Sequence, residues 1–194
     1  VEAHWRARIE EHLGQYVLEP SRLCTAELMA SPLALHGVGH ISALLRLLPE
    51  REPHEAAFEG ADVLLDAIAG HEFHEWAPLF VRWEIGLLNE LGFGLDLARC
   101  AATGSSDDLV YVSPRTGRAV SREAGEPYRE KLLALPAFLL GTQAGEPGLA
   151  ELQAGLTLTE HFLESWVLTP HGKTLPEARA RLAGLAARAS AESA

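Results

Sequence analysis

Residues 96–121 carry no helical periodicity although the chain on both sides does, so the fold must seat a small irregular insert in a helical body. Leu91-Gly92-Phe93-Gly94 ends an apolar stripe with glycines, which favour helix termination. Leu95 to Arg99 then leads to Cys100. Tyr111-Val112 and Ala119-Val120 are short β-prone pairs joined by Ser113-Pro114-Arg115-Thr116-Gly117, the pattern of a hairpin. Arg122-Glu123-Ala124-Gly125 leads back toward helix, and Pro127 is expected to restart one through Leu135.

The helical body is legible from spacing. Ser21 can cap a short helix through Met29, and Pro32 starts a second one with Leu35, Val38, Ile41, Leu45 and Leu48 on one face, ending at Pro49. Pro53 opens a third, with Phe58, Ala61, Leu65 and Ile68 as its buried stripe and Gly70 as its stop. Pro78 is expected to begin a fourth, carrying Phe80, Trp83, Leu87 and Leu91. After a loop around Gln143, Thr159–Leu168 reads as helix with Phe162 and Trp166 one turn apart. Thr174 and Glu177 form a capping box for a last helix docked by Leu182 and Leu185, with an Ala-rich tail expected to fray. Short connections of this kind favour antiparallel helices around one core.

The start of the chain reads differently. Trp5, Ala7 and Ile9 alternate with Arg6, Arg8 and Glu10, and after Leu13-Gly14 the run Tyr16-Val17-Leu18 returns as far as Pro20. Two strands alone are marginal in water, so this hairpin implies further strands upstream and a fragment of a longer chain.

Composition narrows the function. No apolar run reaches the ~18 residues of a membrane span, and two cysteines, Cys24 and Cys100, are too few for a disulfide framework, so a cytoplasmic setting is expected. A net charge of -11 argues against strong nucleic-acid binding by this chain alone, because phosphate neutralisation requires Lys and Arg. The bias is uneven: residues 1–98 hold 6 basic and 16 acidic side chains, whereas residues 99–135 hold 6 and 5. Contacts with phosphate or an acidic partner are therefore expected at Arg99, Arg115, Arg118, Arg122, Arg129 and Lys131.

The central insert has the spacing of a zinc ribbon without its ligands. Such a site uses two Cys-x-x-Cys pairs about 15–20 residues apart. Cys100 opens the first pair with Thr103 at its second position, and after 17 residues Ser121 and Ala124 stand where the second pair belongs. One thiolate cannot hold structural zinc, so no metal is expected. His36 and His40 are four apart but share their turn with Gly37 and Gly39; they read as ordinary surface or helix-end histidines. His71-Glu72-Phe73-His74-Glu75 is rich in ligand types, yet its histidines are three apart and it is expected in a loop, which departs from the His-Glu-x-x-His pattern. No phosphate-binding glycine loop or nucleophile elbow is present. Trp83 and Trp166 lie on apolar stripes and read as core, Trp5 belongs to the hairpin, and Trp76 is the least committed to either core or base stacking.

The blocks Leu91–Cys100 and Tyr111–Tyr128 resemble the bacterial recombination-mediator family RecO, and the likeness extends from Trp5 nearly to the C-terminus. It implies a mainly α fold: a helical bundle-like domain with a small β-hairpin, zinc-ribbon-like lobe and a remnant N-terminal β-hairpin. Residues 1–20 would be the final hairpin of an OB-type barrel, 21–95 and 127–194 the two parts of the helical domain, and 96–126 the degenerate lobe. Some members keep four cysteines and others have lost them. The resemblance implies a non-enzymatic role in DNA repair and recombination: annealing single strands, loading RecA with RecR, and docking on single-stranded-DNA-binding protein. The acidic tail of that protein ends in an apolar residue and needs an apolar notch with a cationic rim. Arg82 with Leu87, or the face around Arg99 and Arg122, are the candidates. Binding to single-stranded DNA is expected to be weak without the barrel. Two other readings compete: a metal-dependent hydrolase using His71 and His74, and a generic helical interaction domain.

Overall fold

A computed structural model describes residues 2–9, 13–20, 25–141 and 146–192, with side chains through residue 186. The expected cap Ser21, Cys24 and the loop around Gln143 lie outside the described residues.

Strands β1 (Glu2–Arg6) and β2 (Gln15–Glu19) form an antiparallel hairpin with Trp5 opposite Tyr16. The strand is shorter than its alternation suggested, since Ile9 lies beyond it. The faces are not half-buried either: Trp5 is 45% and Tyr16 68% exposed, because no second layer covers the ribbon among the described residues.

Four helices follow: α1 (Thr25–Ala30), α2 (Pro32–Leu45), α3 (Glu55–Gly70) and α4 (Phe73–Glu90). Ser31 caps α2, its hydroxyl accepting from the Ala34 N–H at 3.3 Å, with Pro32 preset for the first turn. The buried stripe of α2 is Ala34, Gly37, His40, Ile41 and Leu44, rotated from the expected one, and Leu35 is 51% exposed. The stripe of α3 is likewise Ala57, Ala61, Leu64 and Ile68, leaving Phe58 71% exposed. Small residues win that face because α4 comes close to it. A Cβ on Gly60 would lie 3.1 Å from the Trp83 ring, whose Nε1–H donates to the Ala57 carbonyl at 3.2 Å.

Helix α4 begins at Phe73 rather than at Pro78. Glu72 and Glu75 close a reciprocal capping box, and Trp76, Ala77 and Pro78 are all buried. These gains hold the first turns together although Pro78 has no N–H to give to the preceding turn. His74 is therefore helical, not in a loop. Gly92, at φ 84°, ends the helix, and the Phe93 N–H reaches back to the Leu88 carbonyl at 2.7 Å.

The insert is a three-stranded antiparallel sheet in the order β4-β3-β5, built from β3 (Leu109–Val112), β4 (Ala119–Ser121) and β5 (Leu133–Ala134). A bulge lies between Leu109 and Tyr111. The stretch after Pro127 is not a helix to Leu135. A short α5 (Arg122–Gly125) runs into a 3₁₀ turn (Glu126–Lys131), and Leu133–Ala134 pairs with the free edge of β3. Pro127 cannot extend α-type bonding, and the open edge of β3 offers Leu133 and Ala134 ladder partners instead. Helix α6 (Leu149–Phe162) continues as a π-helical stretch (Leu163–Leu168), and α7 (Glu177–Glu192) packs on α2 without stopping at Leu185.

Cys100, Leu109, Val112, Ala119 and Val120 of the insert join one core with Trp76, Phe80, Leu87, Leu156 and Phe162 of the helices. No described helix is long and apolar enough to cross a membrane.

Candidate functional site

Two of the positions where ribbon ligands would stand, Cys100 and Ser121, meet in the insert. Cys100 Sγ lies 3.4 Å from the Ser121 hydroxyl and accepts the Ser121 backbone N–H at 3.3 Å, 21 residues away in sequence. The Gly104 N–H closes the turn on the Cys100 carbonyl at 2.9 Å. Burial opposes ionisation of the thiol, but hydrogen bonds from Ser121 and Thr103 outweigh it and lower its pKa to about 6. Ala124 sits in the single turn of α5 that Ser121 begins. Hydroxyls at Thr103 and Ser121 and a methyl at Ala124 do not replace three thiolates, so the residues do not fit zinc. Cys100 instead serves as a buried acceptor. Cys100→Ala is expected to cost about 1–3 kcal/mol by stranding the Ser121 N–H, and Cys100→Ser to cost less. Urea melts of the two variants test this, and plasma emission should find no stoichiometric zinc in either or in the parent protein.

The second metal reading loses its geometry. His71 ends α3, His74 opens α4, and both are exposed. Glu75 is occupied by the capping box, and its bond from the Glu72 N–H at 2.9 Å holds its carboxyl below the ordinary range. No group of three His, Cys, Asp or Glu side chains is placed to hold a metal among the described residues.

The charges of the insert are partly spent on one another. Arg122 grips Asp108 with Nε and Nη2 at 3.1 and 3.2 Å, Arg118 Nε lies 3.3 Å from Asp96, and Arg129 lies 3.5 Å from Glu126. Arg99, Arg115 and Lys131 are exposed and form no ion pair among the described residues.

Arg82 and Leu87, named from the sequence as a candidate cation and apolar notch, both line one surface feature. Between α3 and α4 runs a groove of about 460 Å³, floored by Leu64, Trp83 and Leu87, with Val63 and Leu79 exposed along it. Arg82 stands at its rim. Its Nη2 donates to the Phe138 carbonyl at 2.6 Å and its guanidinium lies 5.8 Å from the centre of the Phe138 ring, so the side chain is held in place. Glu59 and Glu90 also line the groove, and Glu90 is met by His54 Nδ1 at 3.3 Å.

The feature that sequence reading missed is a fully buried polar quartet. His40 Nε2 lies 2.8 Å from Glu84 Oε1, Arg179 Nε donates to the same oxygen at 2.9 Å, and the Thr159 hydroxyl donates to Glu84 Oε2. Arg179 Nη2 also donates to the Leu156 carbonyl at 2.7 Å. Burial alone would raise the Glu84 pKa, but Arg179 and His40 together bring it down to about 2. The quartet joins α2, α4, α6 and α7. Its signal lay in polar residues of compensating charge sitting on apolar stripes, with His40 beside Ile41 and Glu84 beside Trp83.

The model of the family described as Recombination protein O C terminal matches residues 29–175. "DNA repair protein RecO" of Methylorubrum populi is 52% identical over 189 residues, covering 94% of this chain and 76% of the relative. The protein of the same name from Methylocella silvestris is 55% identical over 177 residues, covering 90% and 70%, and that of Agrobacterium fabrum is 49% identical over 172, covering 89% and 67%. No solved structure matches. A mainly α body holding a knuckle-shaped insert is thus the C-terminal part of a recombination and repair protein rather than of an enzyme. The chain belongs to the RecO family, and its role lies in DNA repair.

Proposed function

We propose that this chain acts as a recombination mediator, annealing single strands and loading RecA together with RecR, and that it docks on single-stranded-DNA-binding protein through the α3–α4 groove. The observation that carries this reading is the apolar floor of Leu64, Trp83 and Leu87 beneath the fixed guanidinium of Arg82. An apolar C-terminal side chain would fill the floor while the terminal carboxylate takes the remaining N–H groups of Arg82. Glu59 repels acidic residues from the other rim, which sets the direction of the peptide. In this reading residues 1–20 are the last hairpin of an OB-type barrel, 21–95 and 127–194 form the helical platform and 96–126 the lobe. Arg99, Arg115 and Lys131 are the cations open to single-stranded DNA, with Arg118, Arg122 and Arg129 held back by their carboxylates. The contact with DNA is weak in this chain, whose net charge is -11, and the protein works in the cytoplasm at the nucleoid.

Fluorescence anisotropy with a labelled acidic tail peptide tests the docking. Arg82→Glu should weaken binding at least about tenfold, a change of about 1.4 kcal/mol, and binding to the parent should fall as salt rises. Equal affinity of parent and variant at low salt would defeat the assignment of this groove.

A further inference from the structure

We propose a second docking site, for an internal acidic segment of a partner protein, where the end of α2 meets the turn that precedes α7. Two adjoining depressions of about 380 and 490 Å³ share Leu47 and Lys173. Leu47, Leu91, Phe93 and Val167 give the first an apolar floor. Arg46 and Lys173 stand at the second, and His171 lines the first.

Charge complementarity identifies the occupant. The chain as a whole carries -11, yet Arg46 and Lys173 are exposed and form no ion pair among the described residues. His171 donates Nδ1–H to the Val167 carbonyl at 2.7 Å, which fixes its ring in the lining of the first depression. Glu90 also lines the first depression, its carboxylate 3.3 Å from His54 Nδ1, whereas Arg46 lines the adjoining one. The backbone builds the site with unusual pieces. The π-helical stretch Leu163–Leu168 supplies Val167, and such stretches recur at functional sites. Gly172, at φ 67°, then reverses the chain, and the Lys173 N–H is fixed on the Leu168 carbonyl at 3.0 Å.

The chemistry favours peptide over nucleic acid. Two cations would release counterions from only about two phosphates, a shallow salt dependence of roughly -1.4 in log–log slope, while the rest of the chain repels a polyanion. The apolar floor gives phosphate nothing, but it would take one aliphatic or aromatic side chain of a peptide whose carboxylates meet Arg46 and Lys173.

The probe is a fluorescein-labelled, C-terminally amidated peptide of alternating Asp and Leu, which lacks the terminal carboxylate that the Arg82 groove would use. With the full chain, Arg46→Glu/Lys173→Glu should weaken its binding at least about tenfold, and Arg82→Glu should change it less than about twofold. Both replaced side chains are exposed, so thermal melts of the variants should match the parent. Unchanged binding by the double variant would overturn the site. Loss through Arg82→Glu alone would also overturn it and assign the peptide to the α3–α4 groove. Displacement of the peptide by oligothymidylate, itself sensitive to the double variant, would replace the proposal with a nucleic-acid site.

Discussion

Arg179→Met is expected to lower the unfolding free energy by about 3–5 kcal/mol, the cost of breaking a buried ion pair from one side. Arg179 and Glu84 are both fully buried, and without the guanidinium the Glu84 carboxylate keeps only His40 and Thr159 as partners. The loss falls on α7, whose Arg179 reaches Glu84 of α4 and the Leu156 carbonyl of α6. Urea denaturation followed by far-UV dichroism measures it, and a midpoint equal to that of the parent would show the quartet to be dispensable. A companion variant removes both charges, Glu84→Leu with Arg179→Met, and should recover part of the loss because no uncompensated charge remains.

The same quartet sets an acid response. The Glu84 carboxyl titrates near 2 in the fold against 4.5 in the unfolded chain. A depressed carboxylate contributes stability that is complete above the unfolded value and is lost as pH falls from about 4.5 toward 2. The gap corresponds to roughly 3 kcal/mol. In Arg179→Met the main cause of the depression is gone, so this stretch of the stability profile should flatten. A profile parallel to that of the parent would mean that another carboxylate governs acid unfolding.

What the sequence revealed depended on whether a residue's own neighbours decided its fate. Spacing alone was enough to pair Cys100 with Ser121, and in the structure hydrogen bonds join the two. The order of helices was legible from Pro32, Gly70 and Gly92. Faces were less so: Phe58 looked like core by hydrophobicity, but the close approach of Trp83 to Gly60 selects Ala57 and Ala61 for the interface. Pro78 read as a helix start because proline favours first turns, whereas burial of Trp76 and the Glu72–Glu75 box carried the helix one turn and more upstream. His40 read as an ordinary surface or helix-end histidine and is instead fully buried, because its partners are 44 residues away and farther, beyond any local pattern. Arg82 with Leu87 was legible as a pair of types, cation and apolar side chain, but the groove both line needed α3, which only packing supplies.

Gly117→Val should destabilise the protein by about 2–5 kcal/mol, and it tests whether the insert is clamped to the helices. Gly117 sits at φ 64°, where a β-branched residue is strained by about 1–2 kcal/mol. A Cβ there would also lie 2.7 Å from the Trp166 ring and 2.8 Å from Leu95, an overpacking that adds about 1–3 kcal/mol. Trp166 cannot easily give way, because Phe162 meets its ring edge-on at 4.6 Å and Phe93 lies at 6.5 Å. The two causes can be separated. Gly117→Ala keeps the steric clash with less backbone strain, and combining it with Trp166→Leu opens room for the methyl but leaves φ unchanged. A double-mutant cycle by urea denaturation should therefore return a favourable coupling of about 1 kcal/mol or more between positions 117 and 166. Additive losses would mean that the insert rests on the helices without being held by them, and that backbone strain alone accounts for the glycine.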